Sequence, residues 1–215
     1  MTILVATKRE SFAILASERL ESWPDKPSRG CDSKLVCHKR RDIPLAFGVT
    51  TGNSWWVPAP SQPARPITTF LEEVADETNS PNALLLREIA NRVKAKLQPG
   101  YAEIRRDAVV AIALFRDGKA AIGLQPIGSQ TDLLEGCHRP LLPGDPSSLG
   151  SFYSQARCEL LHDPSITNAI ELIEIVRSFV LDGIKHEETT VPVDKRQCGG
   201  KVDVALVDKD GARLV

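Results

Sequence analysis

Apolar runs occur in closely spaced pairs along this chain, and that spacing constrains the fold more than any other feature of the sequence. Strand-like runs separated by a few polar or turn-forming residues are typical of antiparallel hairpins. Asp117-Gly118 is a strong turn signal of this kind. The paired runs are 3–7 with 12–16, 34–38 with 43–49, 108–115 with 120–124, and 202–207 with 212–215. The sequence therefore predicts four antiparallel hairpins.

Helix-like segments lie between these hairpins and show the apolar spacing of amphipathic helices. Capping chemistry marks their starts, because Pro66 and Ser80-Pro81 suit a first turn and Ser165 is a suitable N-cap. The proline-rich stretch 57–66 is predicted to be a loop, and 126–147 to be irregular. The predicted helices cover 66–76, 80 to Gly100, 151–162 and 166–182. Blocks of helices between hairpins predict an α+β fold with two antiparallel sheets between helices.

Composition and charge exclude several classes of protein. The chain has 215 residues and a net charge of −1, so there is no electrostatic case for a nucleic-acid partner. No stretch approaches the ~20 apolar residues of a membrane span. Lys8, Arg9 and Glu10 interrupt the apolar run that a signal peptide would need. We expect a cytoplasmic protein with no membrane partner.

The cysteines favour the same compartment. There are five of them, an odd number, and none forms a Cys-x-x-Cys pair, which fits a reducing cytoplasm better than a disulfide scaffold. Cys37-His38 and Cys137-His138 offer metal-ligating atoms, but their separation is not a usual zinc spacing. The sequence predicts no metal and no other cofactor.

A threonine directly before an apolar strand, in Thr2-Ile3-Leu4-Val5, is the feature that most suggests chemistry. Further motifs follow it in a fixed order: Ala16-Ser17-Glu18, Lys34-Leu35, Ala46-Phe47-Gly48, Leu149-Gly150-Ser151, and the glycine pair with the strand at 199–205. Taken together, these motifs resemble the proteasome β-type subunits and bacterial proteasome-like peptidases, which are N-terminal-nucleophile (Ntn) hydrolases.

The resemblance extends over nearly the whole chain and implies a single domain, 1–215, with the four-layer αββα sandwich of the Ntn-hydrolase fold. It also implies that Thr2, exposed by removal of Met1, is the nucleophile. A threonine hydroxyl is a weak nucleophile until a base lies beside it. The free α-amino group, with a reference pKa near ~8, would be that base.

Four other residues receive catalytic roles from the same resemblance. Lys34 would lie beside the threonine hydroxyl as an ammonium or proton relay, and Glu18 would pair with Lys34. Glu18 stands where the family has aspartate and is longer by one methylene. The Gly48 amide would donate to the oxyanion, an interaction worth roughly 3 kcal/mol in other hydrolases. Ser151 would lie near the free amine.

The stretch before the glycine pair Gly199-Gly200 departs from the family pattern. Cys198 stands where the family has serine, and Lys195 stands where it has aspartate. Asp194 comes one residue too early. Whether Asp194 or Cys198 completes the site stays open at the level of sequence.

The resemblance also implies a substrate site. The small side chain of Ala46 suggests a roomy pocket, and Asp32 suggests a preference for basic side chains. Backbone pairing by Ser22 and Phe47 would hold an extended substrate. The predicted substrate-binding residues are Ser22, Asp32, Val36, Ala46, Phe47 and Thr50.

Three functions are compatible with this pattern. The first is a threonine-dependent peptidase that cleaves peptides or unfolded proteins through an acyl-enzyme. The second is a catalytically inactive, proteasome-like scaffold or assembly subunit, and the third is a peptide ligase that transfers the acyl group to an amine. The resemblance implies a homo-oligomer, a ring or a related assembly. No G-x-x-x-x-G-K-[ST] loop occurs, so any ATP use would come from a separate unfoldase.

Overall fold

The structure is a computed structural model of the 215-residue chain. Thr2, Asp32 and Ser151 lie outside the residues it describes, so their predicted roles are not addressed by its geometry. The described residues are 3–23, 26–30, 33–50, 55–56, 63, 65–78, 86–101, 108–127, 133–136, 152–153, 155–196 and 198–215.

Strands and helices follow one another in mixed order along the chain. The first half contains β1 (Leu4–Lys8), β2 (Phe12–Glu18), β3 (Leu20–Trp23), β4 (Lys26–Gly30), β5 (Leu35–Cys37), β6 (Leu45–Val49), β7 (Trp55–Trp56), β8 (Arg65–Pro66), α1 (Ile67–Asp76) and α2 (Leu86–Tyr101). The second half contains β9 (Val109–Arg116), β10 (Lys119–Pro126), β11 (Leu134–Glu135), α3 (Gln155–His162), α4 (Ala169–Thr190), a 3₁₀ turn (Val193–Lys195), β12 (Val202–Asp208) and β13 (Gly211–Leu214).

Two antiparallel sheets form the centre of the fold. The first has the strand order β1-β2-β12-β13, and the second has the order β11-β10-β9-β6-β5. Each predicted hairpin is confirmed as an antiparallel pair: β1 with β2, β5 with β6, β9 with β10, and β12 with β13. The prediction of an α+β fold with two antiparallel sheets is confirmed.

Turn chemistry explains the clearest of these hairpins. Asp117 and Gly118 link β9 to β10 and have φ values of 52° and 78°. Two successive positive φ values give the backbone twist that a two-residue hairpin loop needs, and Asp-Gly tolerates them well. The sequence signal and the observed turn therefore have the same physical cause.

Three buried apolar clusters hold the elements together. One joins α1 and α2 to the five-stranded sheet through residues such as Phe47, Leu71 and Val93. A second joins α4 to the four-stranded sheet, with Val176 and Val204 among its members. The third contains residues of both sheets, so the sheets share apolar contacts with each other: Leu4, Leu15, Leu35, Ala46, Ala111 and Ala205 belong to it.

Helix boundaries differ from the prediction at two places. Helix α1 ends at Asp76, as predicted, and begins after Pro66, which is its N-cap. Helix α4 begins later than predicted and continues to Thr190 instead of ending at 182. The extension follows from buried positions on its last two turns, Gly183, Ile184 and Glu187, which continue the buried face of the helix. The predicted start at Ser80-Pro81 lies outside the described residues.

Short strands also occur where none was predicted. β3 pairs with β4, and the two-residue strand β8, in the proline-rich stretch, pairs with β7. Runs this short have no periodicity to detect, so they could not be predicted from the sequence. None of the described helices has the length and apolar character needed to cross a bilayer.

The N-cap of α4 provides a test of the corrected boundary. Asn168 Oδ1 accepts hydrogen bonds from Ile170 N at 2.8 Å and Glu171 N at 3.4 Å, whereas Ser165 hydrogen-bonds Asp163. We expect Asn168→Ala to lower the free energy of unfolding by about 1 kcal/mol, because an N-cap oxygen satisfies otherwise unpaired helix amides. Urea titration checks this, with Ser165→Ala as the matched control. A larger loss for Ser165→Ala would contradict the assignment.

Candidate functional site

A buried ion pair joins the two sheets at one end of their interface. Glu18 is the last residue of β2, and Lys34 immediately precedes β5. Lys34 Nζ donates to Glu18 Oε1 at 2.7 Å, and the side chains of Lys34 and Glu18 are 2% and 0% exposed. The structure therefore brings together two of the predicted site residues. Their catalytic roles stay predictions.

Backbone groups complete the surroundings of this pair. Lys34 Nζ also donates to the Leu20 carbonyl at 2.6 Å. The other carboxylate oxygen, Glu18 Oε2, accepts from Leu20 N at 2.5 Å and from Gly199 N at 3.4 Å. Both carboxylate oxygens thus have donors, as a buried charge requires. Because Glu18 reaches Lys34 directly, the additional methylene of glutamate does not prevent the pairing.

Burial and the ion pair act in opposite directions on Glu18. Burial raises the pKa of the Glu18 carboxyl, since it disfavours the charged form. The Lys34 ammonium and the amides of Leu20 and Gly199 favour the charged form and oppose that rise in pKa. The arrangement fixes an ammonium group against a carboxylate away from bulk water, where its electrostatic effect is strong.

A second ion pair lies on the neighbouring strand. Arg19 donates two hydrogen bonds to Asp203 of β12, from Nε to Oδ2 at 2.7 Å and from Nη2 to Oδ1 at 2.5 Å. Asp203 faces Ser17 in the β2–β12 register. Gly200 packs against the same segment, since a Cβ at Gly200 would lie 3.7 Å from the Arg19 carbonyl carbon. Arg19 and Asp203 thus fix the segment next to Glu18.

The sheet register shows which strand the Gly48 amide faces, and the oxyanion role of Gly48 stays a prediction. Gly48 pairs with Ala111 of β9. Two residues later in the chain, Thr50 N donates to the Val109 carbonyl at 3.0 Å. Every second residue of an antiparallel strand bonds the same neighbour, so the Gly48 amide also faces β9, at Ala111. An amide used inside a sheet is not free to donate to an oxyanion. The pairing of β6 with β9 thus weighs against the predicted role.

Close packing explains why a glycine occupies this position. A Cβ at Gly48 would lie 2.8 Å from Leu4 Cδ1 and 3.0 Å from Leu35 Cδ2, which is too close for carbon atoms. Leu4 belongs to the first sheet and Leu35 to the second. Gly48 thus allows close approach between the sheets, which is a structural role.

Four of the predicted substrate-binding residues are part of the core. Val36, Ala46 and Phe47 are at most 6% exposed and belong to the apolar clusters described above. Thr50 Oγ1 is engaged with β9, since it accepts from Val109 N at 2.9 Å and donates to the Val109 carbonyl at 3.2 Å. These side chains are buried among the described residues, and their role in substrate binding stays a prediction.

Backbone pairing gives different outcomes for the two predicted peptide-binding strands. Phe47 lies in β6, which is bonded to β5 on one side and to β9 on the other, so it has no free edge for a substrate strand. The predicted role of Phe47 is not favoured by this pairing and stays a prediction. Ser22 lies in β3, which is paired with β4 alone among the described residues, so its predicted role is compatible with the structure.

Asp194 and Cys198 lie in different surroundings. Asp194 lies in the exposed 3₁₀ turn, together with the exposed Lys195. Cys198 is buried, and its amide donates to the carboxylate of Glu187 at 2.7 Å. Glu187, near the end of α4, is 2% exposed. The carboxylate beside Cys198 is therefore that of Glu187, which sequence reasoning missed.

A signal for Glu187 was present in the sequence. It lies three residues after the buried Ile184 and seven after the buried Val180, so it falls on the apolar stripe of the helix. A carboxylate at such a position is rarely buried without partners. Because the predicted helix ends at 182, its apolar stripe does not reach Glu187 in the prediction.

Metal ligation finds no support in the part of the chain that is described. Within those residues, no group of three or more His, Cys, Asp or Glu side chains could hold a metal ion. Burial, followed by the charge of Asp203, raises the pKa of Cys37 to about 11, so the thiol is protonated at neutral pH. Cys137 and His138 lie outside the described residues.

Comparisons with known proteins identify the fold but not the family. No family model matches the chain, and no curated protein matches it. A solved structure of an Anbu (Gly-1) mutant from Hyphomicrobium sp. strain MC1 matches with a TM-score of 0.66 and 10% sequence identity, covering 100% of this chain and 86% of that one. The chain therefore has the same overall fold as that Anbu structure.

The assignment to the proteasome β-type subunit family is corrected by the same comparisons. Identity of 10% and the lack of any matching family model do not establish membership in that family. The likeness to Anbu concerns the arrangement of the backbone. What it supports is therefore limited to the fold.

Proposed function

We propose that the chain is an amide hydrolase with an N-terminal threonine nucleophile, acting as a peptidase on peptides or unfolded proteins. The observation that carries this proposal is the buried Glu18–Lys34 ion pair, with Nζ and Oε1 2.7 Å apart. A lysine that is 2% exposed is rare in a folded protein unless its charge is paired. Buried ionisable groups with a specific charge partner occur often at functional sites. The proteasome-related fold is consistent with the proposal.

Chain continuity supports the placement of the nucleophile near this pair. β1 pairs with β2 in a register that sets Leu4 opposite Ser17, the residue before Glu18, and the fully buried Ile3 directly precedes Leu4. Thr2 is bonded to Ile3, and consecutive Cα atoms are about 3.8 Å apart. This connection supports the proposal that Thr2 acts close to Glu18 and Lys34.

The proposed reaction uses the terminal residue as both nucleophile and base. After Met1 is removed, the α-amine of Thr2 accepts the hydroxyl proton, and the oxygen attacks the amide carbonyl carbon. The C–N bond breaks, the amine leaves with a proton, and an ester to Thr2 remains. Water then hydrolyses the ester and regenerates the hydroxyl. The ammonium of Lys34 stabilises negative charge as the hydroxyl proton departs.

The remaining features of the proposal concern architecture and setting. We propose one domain over 1–215, with the two sheets between helical layers in the order αββα, and a homo-oligomeric assembly. Ser22, Asp32 and Ser151 keep their proposed roles at the substrate and amine sites. The proposed setting is the cytoplasm, with unfolding of protein substrates by a separate ATPase.

A catalytically inactive scaffold is the second candidate, and one observation favours it. The amide of Gly48 is used in the β6–β9 ladder, so the described residues provide no oxyanion donor at the predicted position. A scaffold would need neither that donor nor a free terminal threonine. The ion pair at Glu18 would then serve stability only.

Product analysis separates these functions. The purified full chain is incubated with a library of peptide amides, and the products are identified by mass spectrometry, with Thr2→Ala as the matched control. We expect hydrolytic fragments from the wild-type chain and none from Thr2→Ala, which folds normally. Peptides joined to added amines would indicate a ligase, and equal inactivity of both chains would support the scaffold.

A further inference from the structure

The last turns of α4 contact two separate segments of the chain near the candidate site. Glu187, fully within the helix, accepts the Cys198 amide at 2.7 Å through Oε2, and the Cys198 thiol donates to the same oxygen. Both residues are at most 2% exposed. The Glu187 carboxyl group is therefore buried, and it fixes the backbone of the segment before the glycine pair.

Residues 152–153 also pack on α4, between Phe179 and His186. The Tyr153 hydroxyl donates to the Phe179 carbonyl at 3.0 Å, and the two rings stack at 4.3 Å. Phe152 stacks on His186, again at 4.3 Å. His186 directly precedes Glu187, so adjacent residues of α4 contact Phe152 and Cys198.

Contacts connect Glu187 to the ion pair without a break. Glu187 holds Cys198, and the next residue, Gly199, donates its amide to Glu18 Oε2. A Cβ at Gly199 would lie 3.4 Å from Leu20 Cδ2, so this loop packs against the residue whose carbonyl accepts from Lys34. Displacement of Cys198 would therefore change the hydrogen bonding of Glu18.

We propose that Glu187 is a positioning residue of the threonine site, which fixes Cys198-Gly199 against Glu18 and so keeps Glu18 oriented toward Lys34. This inference rests on the proposed function. It assigns to α4 the carboxylate that the sequence suggested at Asp194. Glu187 acts through the loop and touches no substrate.

The chemistry of Cys198 agrees with a holding role. Burial, and next the hydrogen bond to Glu187, raise the pKa of the Cys198 thiol far above its usual range. The thiol therefore stays protonated and serves as a hydrogen-bond donor, because reactivity requires the thiolate. The important acceptor is the Glu187 oxygen, which satisfies a buried backbone amide that would otherwise be costly to leave unpaired.

The test measures acylation of Thr2 by a β-lactone, followed by intact-protein mass spectrometry over a range of lactone concentrations. This separates the maximal acylation rate from the concentration that gives half of it. Glu187→Leu removes the acceptor, Glu187→Gln keeps an acceptor oxygen, and Glu187→Asp withdraws the carboxylate by one methylene. Asp194→Asn is the control, since Asp194 is exposed.

We expect Glu187→Leu to lower the maximal rate about 10- to 100-fold, as a misplaced site group does, with little change in the half-saturating concentration. Glu187→Gln should restore most of the rate, and Asp194→Asn should match the wild type. Rescue by glutamine distinguishes positioning from a general loss of folded protein, which far-UV circular dichroism monitors. If Glu187→Leu does not fold, Glu187→Asp decides, with a clear loss of rate expected.

Two results would overturn the inference while leaving the proposed function intact. One is a wild-type rate in a folded Glu187→Leu or in Glu187→Asp, and the other is an equal loss in Asp194→Asn. A wild-type chain that is never acylated, or a Thr2→Ala chain that still is, would instead overturn the proposed function and, with it, this inference.

Discussion

Lys34→Met is expected to lower the free energy of unfolding by about 3–5 kcal/mol, the usual cost of leaving one member of a buried ion pair without its partner. Glu18 would keep its place with 0% exposure but lose the ammonium that compensates its charge. The same variant should lack acylation of Thr2. Urea titration at neutral pH measures the first effect, and the mass of the lactone-treated protein measures the second.

The pH dependence of Lys34→Met has a definite sign. Burial raises the pKa of Glu18 in the folded chain, and loss of the ammonium removes the largest opposing effect. A carboxyl whose folded pKa exceeds its unfolded pKa favours folding most at low pH, and that contribution is lost as the pH rises through the folded pKa. The variant should therefore regain stability as the pH falls from neutral toward the unfolded pKa of glutamate.

Two further variants serve as controls for this result. Glu18→Gln combined with Lys34→Met should recover much of the lost stability, because no uncompensated charge remains buried. Arg40→Met breaks an ion pair with Asp42 on the exposed surface and should leave the free energy of unfolding unchanged within error. A loss for Lys34→Met as small as that for Arg40→Met would show that the Glu18–Lys34 pair is not buried.

Gly183→Ala is expected to destabilise the chain by about 1–3 kcal/mol, as overpacking of a core does. The added Cβ would overlap the Tyr153 hydroxyl oxygen and lie 2.8 Å from both Tyr153 Cζ and Ile3 Cδ1. The sign is informative, because glycine to alanine within a helix otherwise gains roughly 0.5–1 kcal/mol. Ser178→Ala, on an exposed face of the same helix, is the control and should be neutral or slightly stabilising.

A double-mutant cycle locates the cause of the Gly183→Ala effect. In a Tyr153→Phe background the overlapping hydroxyl is absent, so the same substitution should cost less. Residues in direct contact typically show coupling of about 0.5–3 kcal/mol. Thermal or urea unfolding of the four chains gives this value. A coupling near zero would mean that Tyr153 does not pack on Gly183.

The hairpins could be predicted because their signals are local. Asp117-Gly118 specifies its turn through backbone conformations that few residue pairs tolerate, and the flanking apolar runs specify the strands. Helix α1 was predictable for a similar reason, since Pro66 fixes its start. The start of α4 was misplaced because Ser165 and Asn168 are both good caps, and tertiary packing decides between them.

The part of the candidate site that sequence predicts least well depends on sheet register. Counting residues from Thr2 placed Gly48 at an oxyanion position, but counting along the chain does not reveal where β6 ends or which neighbour each amide faces. The register is set by pairing with both β5 and β9, which are distant in sequence. The core positions of Ala46 and Phe47 follow from the same pairing.

Glu18 and Lys34 were found in the sequence because a motif carried them. Glu187 was not, because no motif includes it and its importance lies in one contact with Cys198 across the fold. Residues that act through the backbone of a distant loop are found only when the fold brings the segments together.

Intact-protein mass spectrometry decides whether Thr2 is a nucleophile. The full chain is weighed before and after treatment with a threonine-reactive β-lactone, beside Thr2→Ala treated in the same way. We expect a mass that lacks Met1 and one lactone adduct, which is absent from Thr2→Ala. Retention of Met1 together with no adduct, in a chain that is folded, would contradict it.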